Sequence, residues 1–196
     1  LKRIATPMET PLCKLGFRYR TDKCPQLRHS YTPVYYELLK DKRESIKKVL
    51  EIGIGTIWSM KHIKDYTVGA SHKMWRDFFP NAQIYGIDID PKVIFQEERI
   101  ETYLMDSTKE QNIKELIDRI GSDQDLVIDD GPHGTRTQLN LAKCLLPLLT
   151  GDFIYIIEDS RNPDALKENL DFLFDYNVEV IKLPAKGMSD DNLVIV

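Results

Sequence analysis

The segment from Lys48 to Gly55 constrains the fold of this chain more than any other. An apolar run ends in an acid, Glu51, and two glycines follow at Gly53 and Gly55. This pattern predicts a buried strand that breaks into a tight turn, because glycine permits close approaches that a side chain would forbid. A second apolar strand, Gln83–Asp88, also ends in an acid. A strand, a glycine turn, a helix and an acid-ended strand form the arrangement that binds the ribose of an adenosine cofactor.

Two features of this turn select among adenosine cofactors. The dinucleotide fingerprint needs a third glycine, and Trp58 stands in its place. The Glu51 carboxylate would repel a pyrophosphate but suits a cationic ligand, such as the amino group and sulfonium of S-adenosylmethionine. Here the sequence resembles the class I S-adenosylmethionine-dependent methyltransferases, whose first motif is an acid followed by spaced glycines. The resemblance implies that S-adenosylmethionine is the cofactor and that Glu51, Gly53 and Gly55 contact it.

The remaining chain alternates apolar strands with amphipathic helices. Further strands are predicted at 101–106, 125–130, 152–159, 178–183 and 193–196, and helices at 35–39, 70–79, 109–120, 135–149 and 163–176, with another opened by Asp90-Pro91. Helices between strands predict a parallel sheet, whereas the last strand follows a Gly/Ser/Asp turn and should be antiparallel. Residues 33–196 thus form one doubly wound, Rossmann-like α/β domain with helices on both faces, the shape that the methyltransferase resemblance implies. Residues 1–32 form an N-terminal arm, which polarity alone would leave in solvent.

Length, charge and cysteine usage narrow the class of protein. A chain of 196 residues has the length of one domain, and its net charge of -4 argues against a protein built mainly to bind nucleic acid. No apolar run approaches the roughly 20 residues of a membrane helix. Cys13, Cys24 and Cys144 lack metal-like spacing and predict reduced thiols, so we expect a cytoplasmic protein. The chain starts at Leu1, which leaves a removed targeting segment open. A homo-oligomer also stays open.

Each predicted parallel strand ends in at least one acid, at the edge of the sheet where ligands bind. Left unpaired, these carboxylates would repel one another, so we expect a cationic group among them. Asp88 is placed to accept both ribose hydroxyls, and Asp106 with Ser107 to bind the adenine amino group. The other candidate cofactor contacts are Ser71, Asp129 and Tyr31. The alternative is that the acids cap the helices that follow them.

The acids on the other half of the sheet predict a metal site. Asp130, Glu158 and Asp159 offer hard oxygen ligands that suit Mg²⁺, or else Mn²⁺ or Ca²⁺, and no Cys/His cluster favours zinc. His133 follows Asp130 across a Gly-Pro turn, so its ring should stay near the strand end. There it can take a proton from a hydroxyl that the metal acidifies. The alternatives are that His133 caps a helix or is a surface histidine, and that His29 of the arm is the base.

The sequence Asp-Asp-Gly-Pro-His at 129–133, with the acids at 158 and 159, carries a closer resemblance. It resembles the metal-dependent sugar O-methyltransferases of macrolide antibiotic biosynthesis. The resemblance implies that Asp130, Glu158 and Asp159 bind Mg²⁺ and that His133 is the general base. It also implies that the arm folds over the cofactor, through Thr21-Asp22-Lys23, His29, Tyr31 and Thr32. Two departures concern the substrate: Pro132 replaces a small polar residue, and the chain is too short for the family's larger substrate-binding additions.

The sequence is consistent with three functions. The first is metal-assisted methyl transfer from S-adenosylmethionine to a hydroxyl of a sugar or other small-molecule acceptor. The second is a metal-dependent hydrolase or hydroxylase-like enzyme on the same acidic rim, and the third is a non-catalytic nucleotide-binding domain. The long link between Thr56 and Val68 predicts a lid or substrate wall. Its alternative is a short helix, Ser59 to Asp65, that covers apolar surface.

Overall fold

A computed structural model describes residues 9–173, 176–183 and 191–196 and arranges their strands in one sheet. The strands are β1 (Lys48–Ile52), β2 (Gln83–Asp88), β3 (Gln96–Glu97), β4 (Ile100–Leu104), β5 (Leu126–Asp129), β6 (Ile154–Ile157), β7 (Glu179–Lys182) and β8 (Asn192–Ile195). Within the described residues the sheet has 8 strands, in the order β3-β4-β2-β1-β5-β6-β8-β7.

The centre of the sheet is parallel and its last strand is reversed. Strand β1 pairs in parallel with β2 and β5, β4 with β2, and β6 with β5. Strand β8 is antiparallel to both β6 and β7. The predicted mixed sheet is therefore confirmed. Because the parallel strands point the same way, their carboxyl ends meet at one edge, and this edge collects the acids that follow them.

The helix predicted to begin at Asp90-Pro91 is wrong. Asp90 does cap a turn, since its carboxylate accepts a hydrogen bond from the Lys92 amide at 2.9 Å, but that turn is a single 3-10 turn, Pro91–Val93. The chain then enters β3, which is antiparallel to β4. The hydroxyl of Thr102 on β4 explains the difference. It accepts from the Phe95 amide at 2.7 Å and donates to the Phe95 carbonyl at 2.6 Å, which fixes the segment as one arm of a hairpin.

The helices divide into two layers. They are α1 (Pro11–Tyr19), α2 (Tyr31–Leu39), α3 (Ala70–Phe78), α4 (Glu110–Ile120), α5 (Thr135–Leu145) and α6 (Pro163–Leu173). Helices α1 to α3 pack on one face and α4 to α6 on the other, each with its own buried apolar cluster. On β1, Val49 packs in the first cluster and Leu50 in the second, so the alternation of a strand places Glu51 on the α1–α3 side. Among the described residues, no helix has the length and apolar character that a membrane span needs.

Some predicted element ends shift or lie outside the described ranges. Helix α5 ends at Leu145, and a 3-10 turn that contains Pro147 follows it, because proline lacks the amide that would continue an α-helix. Helix α6 is described as far as Leu173, and the predicted continuation includes residues 174 and 175, which are outside the description. The predicted Gly/Ser/Asp turn also falls on residues outside it, at 184–190.

The described part of the arm is packed against the domain, so the expectation of a solvated segment is wrong for residues 9–32. Helix α1 starts at a cap in which the Thr10 hydroxyl accepts from the Cys13 amide at 3.1 Å, and Leu12 is fully buried on its inner face. The polar middle of the arm is buried as well, at Lys23 and His29. Polarity misled here because these polar side chains pair with groups that are distant in sequence.

The link from 56 to 68 forms successive turns, so the alternative of a short helix from Ser59 to Asp65 is wrong. Thr56 and Ser59 exchange backbone-to-hydroxyl hydrogen bonds of 2.9 Å, which closes the first turn. The Tyr66 hydroxyl reaches the carbonyl oxygens of Ile54 at 3.1 Å and Gly55 at 3.0 Å. The link is thereby folded back over the glycine turn that follows β1.

Candidate active site

A cavity of about 420 Å³ opens at the carboxyl ends of β1, β2, β4 and β5. It brings together many of the residues that the sequence singled out, namely Gly53, Gly55, Asp88, Asp106, Ser107, Asp130 and His133. Thr56, Ser59 and Met60 from the link also line it. The cavity is therefore walled by the glycine turn, by acids at the strand ends and by the link.

The two glycines of the turn have conformations that other residues rarely adopt. Gly53 has φ +94° and Gly55 has φ +85°. A Cβ atom on Gly53 would lie 2.2 Å from the Asp130 carbonyl oxygen, and one on Gly55 would lie 2.8 Å from the Tyr66 hydroxyl. Real Cβ atoms essentially never come this close to another heavy atom. Gly53 therefore lets β1 turn close to the end of β5, and Gly55 lets the Tyr66 hydroxyl lie against the turn.

Asp88 and Asp106 are held in place by backbone amides at the cavity wall. Asp88 Oδ2 accepts from the Ile54 amide and Oδ1 from the Asp90 amide, both at 2.9 Å. Asp106 Oδ1 accepts from the amide of Thr108 at 2.9 Å and from its hydroxyl at 2.6 Å, and these bonds lower the pKa of Asp106. Each carboxylate keeps lone pairs for further donors, which hydroxyl or amino groups of a ligand could supply.

Four predicted cofactor contacts are absent from the lining of this cavity: Glu51, Ser71, Asp129 and Tyr31. Glu51 is fully buried behind the wall, where Trp75 Nε1 donates to its Oε2 at 3.0 Å. Ser71 is buried on α3, with its hydroxyl 3.4 Å from His72 Nδ1. Asp129 is also buried, and its Oδ1 accepts from the Gly131 amide at 3.2 Å. Burial raises the pKa of Asp129 to about 7.

Asp130, His133 and Asp159 meet at the rim of the cavity. Their potential ligand atoms all lie within 4.8 Å of one another. His133 Nε2 is 3.3 Å from Asp130 Oδ1, and His133 Nδ1 is 3.4 Å from Asp159 Oδ2. Burial disfavours a charged ring, but the hydrogen bond and charge of Asp130, helped by Asp159, outweigh it and raise the pKa of His133 to about 9. Two carboxylates and one imidazole thus converge in the manner of a cation site.

Glu158, the third predicted metal ligand, lies apart from this group. Its Oε2 accepts from Lys23 Nζ at 2.5 Å and its Oε1 from the Tyr35 hydroxyl at 2.5 Å. Burial, with nearby carboxylates, raises the pKa of Glu158 despite the opposing charge of Lys23. Both carboxylate oxygens of Glu158 are therefore engaged by protein donors.

Lys23 is the residue that sequence reasoning missed most clearly. Its Nζ lies 2.6 Å from Asp130 Oδ2, 2.5 Å from Glu158 Oε2 and 3.2 Å from Glu51 Oε1. Burial opposes its charge, but Asp130 and Glu158 outweigh this effect and raise the pKa of Lys23. A cation among the carboxylates was expected, and the arm supplies one. The tripeptide Thr21-Asp22-Lys23 marked this segment, but no local pattern links Lys23 to strand ends so far along the chain.

Helix α2 contributes two tyrosines to the same acids. The Tyr31 hydroxyl donates to Asp159 Oδ1 at 2.5 Å and accepts from the Asp159 amide at 3.3 Å. Tyr35, one helical turn later, donates to Glu158. The rival base His29 stacks on Tyr31 with ring centres 4.8 Å apart, and its Nδ1 is 3.1 Å from Asp191 Oδ1. His29 is buried and does not line the cavity.

The glycine turn after β1, the acid at the end of β2 and the reversed strand β8 beside β6 define the fold of the class I methyltransferases. Solved structures confirm this fold. The methyltransferase MycE of the mycinamycin biosynthetic pathway, in complex with Mg, SAH and mycinamycin VI, matches 95% of this chain and 54% of its own, with a TM-score of 0.75 and 28% sequence identity. Another MycE structure with Mg and SAH matches 79% of this chain at 34% identity, with a TM-score of 0.68.

Curated relatives confirm the resemblance to the sugar O-methyltransferases of antibiotic pathways. Mycinamicin VI 2''-O-methyltransferase of Micromonospora griseorubida is 39% identical over 151 residues, which are 76% of this chain and 35% of that protein. An O-methyltransferase of Streptomyces olivaceus that acts at the 3' position of a methoxyrhamnosyl tetracenomycin is 34% identical over 159 residues, 81% of this chain and 39% of that protein. The chain thus spans less than half the length of these relatives. No protein-family model matches it.

Proposed function

We propose that this chain is an S-adenosylmethionine-dependent O-methyltransferase domain that uses a divalent cation and methylates a hydroxyl of a sugar-bearing small molecule. One observation carries the proposal: Asp130 and His133 belong both to the cavity wall and to the acid–histidine group at its rim. A cofactor in the cavity and an acceptor at the rim would therefore meet at His133. The relatives described above are O-methyltransferases, which favours this function over a hydrolase or a non-catalytic domain.

The cavity residues fit S-adenosylmethionine. Asp88 would accept hydrogen bonds from the ribose hydroxyls, and Asp106 with Ser107 would bind the adenine amino group. Gly53 and Gly55 would let the ligand approach the backbone. Glu51 lies behind this wall, so we propose that it acts on the cofactor through its negative charge, or after a rearrangement of Trp75 and Lys23.

The rim residues fit a divalent cation such as Mg²⁺. Asp130 and Asp159 offer two carboxylates whose potential ligand atoms lie within 4.8 Å of each other, and hard oxygen donors of this kind suit Mg²⁺. His133 lies within the same distance of both and stays available as a base. A cation held there would supply Lewis-acid activation of the acceptor hydroxyl. Glu158 could join the set through lone pairs that its bonds to Lys23 and Tyr35 leave free, because each carboxylate oxygen can accept more than one bond.

We propose His133 as the base that takes the proton from the acceptor hydroxyl. Its side chain is 34% exposed and borders the cavity. The raised pKa of His133, about 9, arises from Asp130 and Asp159, so neutralising these carboxylates lowers that pKa toward the ordinary value near 6.5. The neutral ring can then accept a proton near physiological pH.

The arm and its surroundings enter the same proposal. We propose residues 33–196 as the methyltransferase domain and residues 1–32 as an arm that places Lys23 and Tyr31 against the strand-end acids. All three cysteines are unpaired, which supports a reducing, cytoplasmic compartment. A homo-oligomer stays a prediction.

Methyl transfer can be tested with acceptors that the relatives' names provide. The purified chain is incubated with S-adenosylmethionine, Mg²⁺ and either mycinamicin VI or a rhamnosyl tetracenomycin, and products are analysed by mass spectrometry. We expect an O-methylated product that disappears when EDTA removes the cation. Turnover that needs no S-adenosylmethionine would favour the hydrolase hypothesis. Cofactor binding without transfer to any acceptor would favour the non-catalytic one.

A further inference from the structure

Lys23 has an unusual position for a residue of an N-terminal arm. Its side chain is 2% exposed, and its ammonium group meets acids that follow or belong to three different strands: Glu51 on β1, Asp130 after β5 and Glu158 after β6. An ammonium group has three donors and no acceptor; here it donates hydrogen bonds to Asp130 and Glu158 and forms an ion pair with Glu51. Nothing in the proposed reaction uses this residue directly.

The acids around Lys23 need a cation even when the chain binds no ligand. Three carboxylates buried together without a partner would carry a severe desolvation cost and would repel one another. Lys23 offsets part of that cost, because it lies 2.5 Å from Glu158 Oε2 and 2.6 Å from Asp130 Oδ2. The same lysine would oppose a second cation, since like charges in a poorly screened site repel strongly.

Asp130 contacts both Lys23 and the candidate metal group. Its Oδ2 accepts from Lys23 at 2.6 Å, while its Oδ1 lies 3.3 Å from His133 Nε2 on the side of the candidate metal group. Glu158 is in the same position, because Lys23 occupies one of its oxygens. A metal ion bound to either acid would therefore share that carboxylate with Lys23 and lie close to its positive charge.

We propose that Lys23 is a built-in counter-ion of the candidate metal site: it holds Asp130 and Glu158 in place without the metal, and it lowers the affinity of the site for Mg²⁺. This inference rests on the proposed function only in assuming that the site takes a divalent cation. It makes Lys23 a positioning residue that sets metal affinity through charge. Removing the lysine should therefore lower the stability of the metal-free protein and raise its affinity for Mg²⁺.

The test uses Lys23→Met, which keeps the length and apolar stem of the side chain but removes its charge. We expect the metal-free melting temperature to fall, because the carboxylates lose their partner, and the dissociation constant for Mg²⁺ to fall by at least roughly tenfold. Binding of MgCl₂ is measured by calorimetry and by the Mg²⁺-induced rise in melting temperature, without S-adenosylmethionine. A lysine with a merely structural role would lower stability and weaken Mg²⁺ binding together.

Lys48→Met is the matched control. Lys48 also forms a short ion pair on β1, with Asp123 at 2.5 Å, but at the opposite end of the strand. We expect this variant to keep the wild-type affinity for Mg²⁺. If Lys23→Met does not fold, the double variant Lys23→Met/Glu51→Gln removes one carboxylate that is outside the metal group and should restore folding while the affinity for Mg²⁺ stays raised.

Several outcomes separate this inference from the proposed function. If wild type binds Mg²⁺ and the folded Lys23 variants bind it equally or more weakly, the counter-ion role is overturned and the metal site stands. If neither wild type nor the variants bind Mg²⁺, the metal site and the counter-ion role both fail. The inference is supported if the Lys23 variants bind Mg²⁺ more tightly than wild type does, or if they bind it and wild type does not.

Discussion

Replacing Tyr31 by phenylalanine tests how the arm holds the acid rim. The Tyr31 hydroxyl donates to Asp159 Oδ1 and accepts from the Asp159 amide, so it contacts both the side chain and the backbone of this residue. Asp159 has φ +50°, a left-handed conformation that costs a residue other than glycine about 1–2 kcal/mol. The hydroxyl therefore helps to hold Asp159 in this conformation.

The expected loss follows from the chemistry of the hydrogen bond. A bond to a charged acceptor contributes about 1.5–3 kcal/mol, and Tyr31 is fully buried, so water does not replace the lost hydroxyl. We expect Tyr31→Phe to lower the free energy of unfolding by that amount. In a chain of 196 residues, 1 kcal/mol corresponds to about 2–4 °C in melting temperature, so the fall should be roughly 3–12 °C.

Thermal denaturation measures the fall in melting temperature of Tyr31→Phe, and Tyr36→Phe on the same helix is the control. Tyr36 packs on Phe78 and is only partly buried, and Tyr36→Phe should change stability by no more than about 0.5 kcal/mol. A double-mutant cycle of Tyr31→Phe with Asp159→Asn should give a coupling of about 1.5 kcal/mol or more. Equal melting temperatures for the two tyrosine variants, or a coupling near zero, would refute the reasoning.

Three further predictions concern the cofactor, the base and a buried histidine. Asp88→Ala should weaken S-adenosylmethionine binding by about 1–3 kcal/mol in calorimetry, because in the proposed binding mode the ribose hydroxyls lose their acceptor, and an unchanged affinity would count against the assignment. His133→Ala should slow methyl transfer by roughly 10²–10⁴-fold with little change in cofactor affinity. If His29→Ala were inactive and His133→Ala active, His29 of the arm would be the base instead. Burial lowers the pKa of His72 despite the carboxylate of Glu51 nearby, and its Nε2 has no hydrogen-bond partner among the described residues. The unfolded chain therefore binds a proton at His72 that the folded chain does not, so the free energy of unfolding decreases as the pH falls below about 6.5. Denaturant titrations between pH 7 and 5 should show a smaller decrease for His72→Gln than for wild type. The same dependence on pH in both proteins would contradict this prediction.

The sheet and much of the cavity were predictable from the sequence because their signals are local. The apolar run before Gly53 and the acid of Asp88 each occupy one short segment, and the rule that parallel strands end at one edge places them together. Asp130 and His133 could be added because only a Gly-Pro turn separates them. In each case a few neighbouring residues determine the position of the side chain.

The errors and omissions arise where distant segments decide the structure. Lys23 and Tyr31 gain their roles from acids more than a hundred positions away, which no pattern in the arm reveals. Glu51 is buried because strand alternation puts it on the face of Val49, under α3, rather than at the strand end. The helix predicted after Asp90 was replaced by a hairpin because Thr102 captures the backbone of Phe95.

The most direct measurement is a calorimetric titration of the wild-type chain with S-adenosylmethionine and, separately, with NAD, each with and without Mg²⁺. The glycine turn, the acid at the end of β2 and Trp58 in place of a third glycine predict that S-adenosylmethionine binds and that NAD does not. A clear heat of NAD binding with none for S-adenosylmethionine would contradict the identification of this site as that of a methyltransferase.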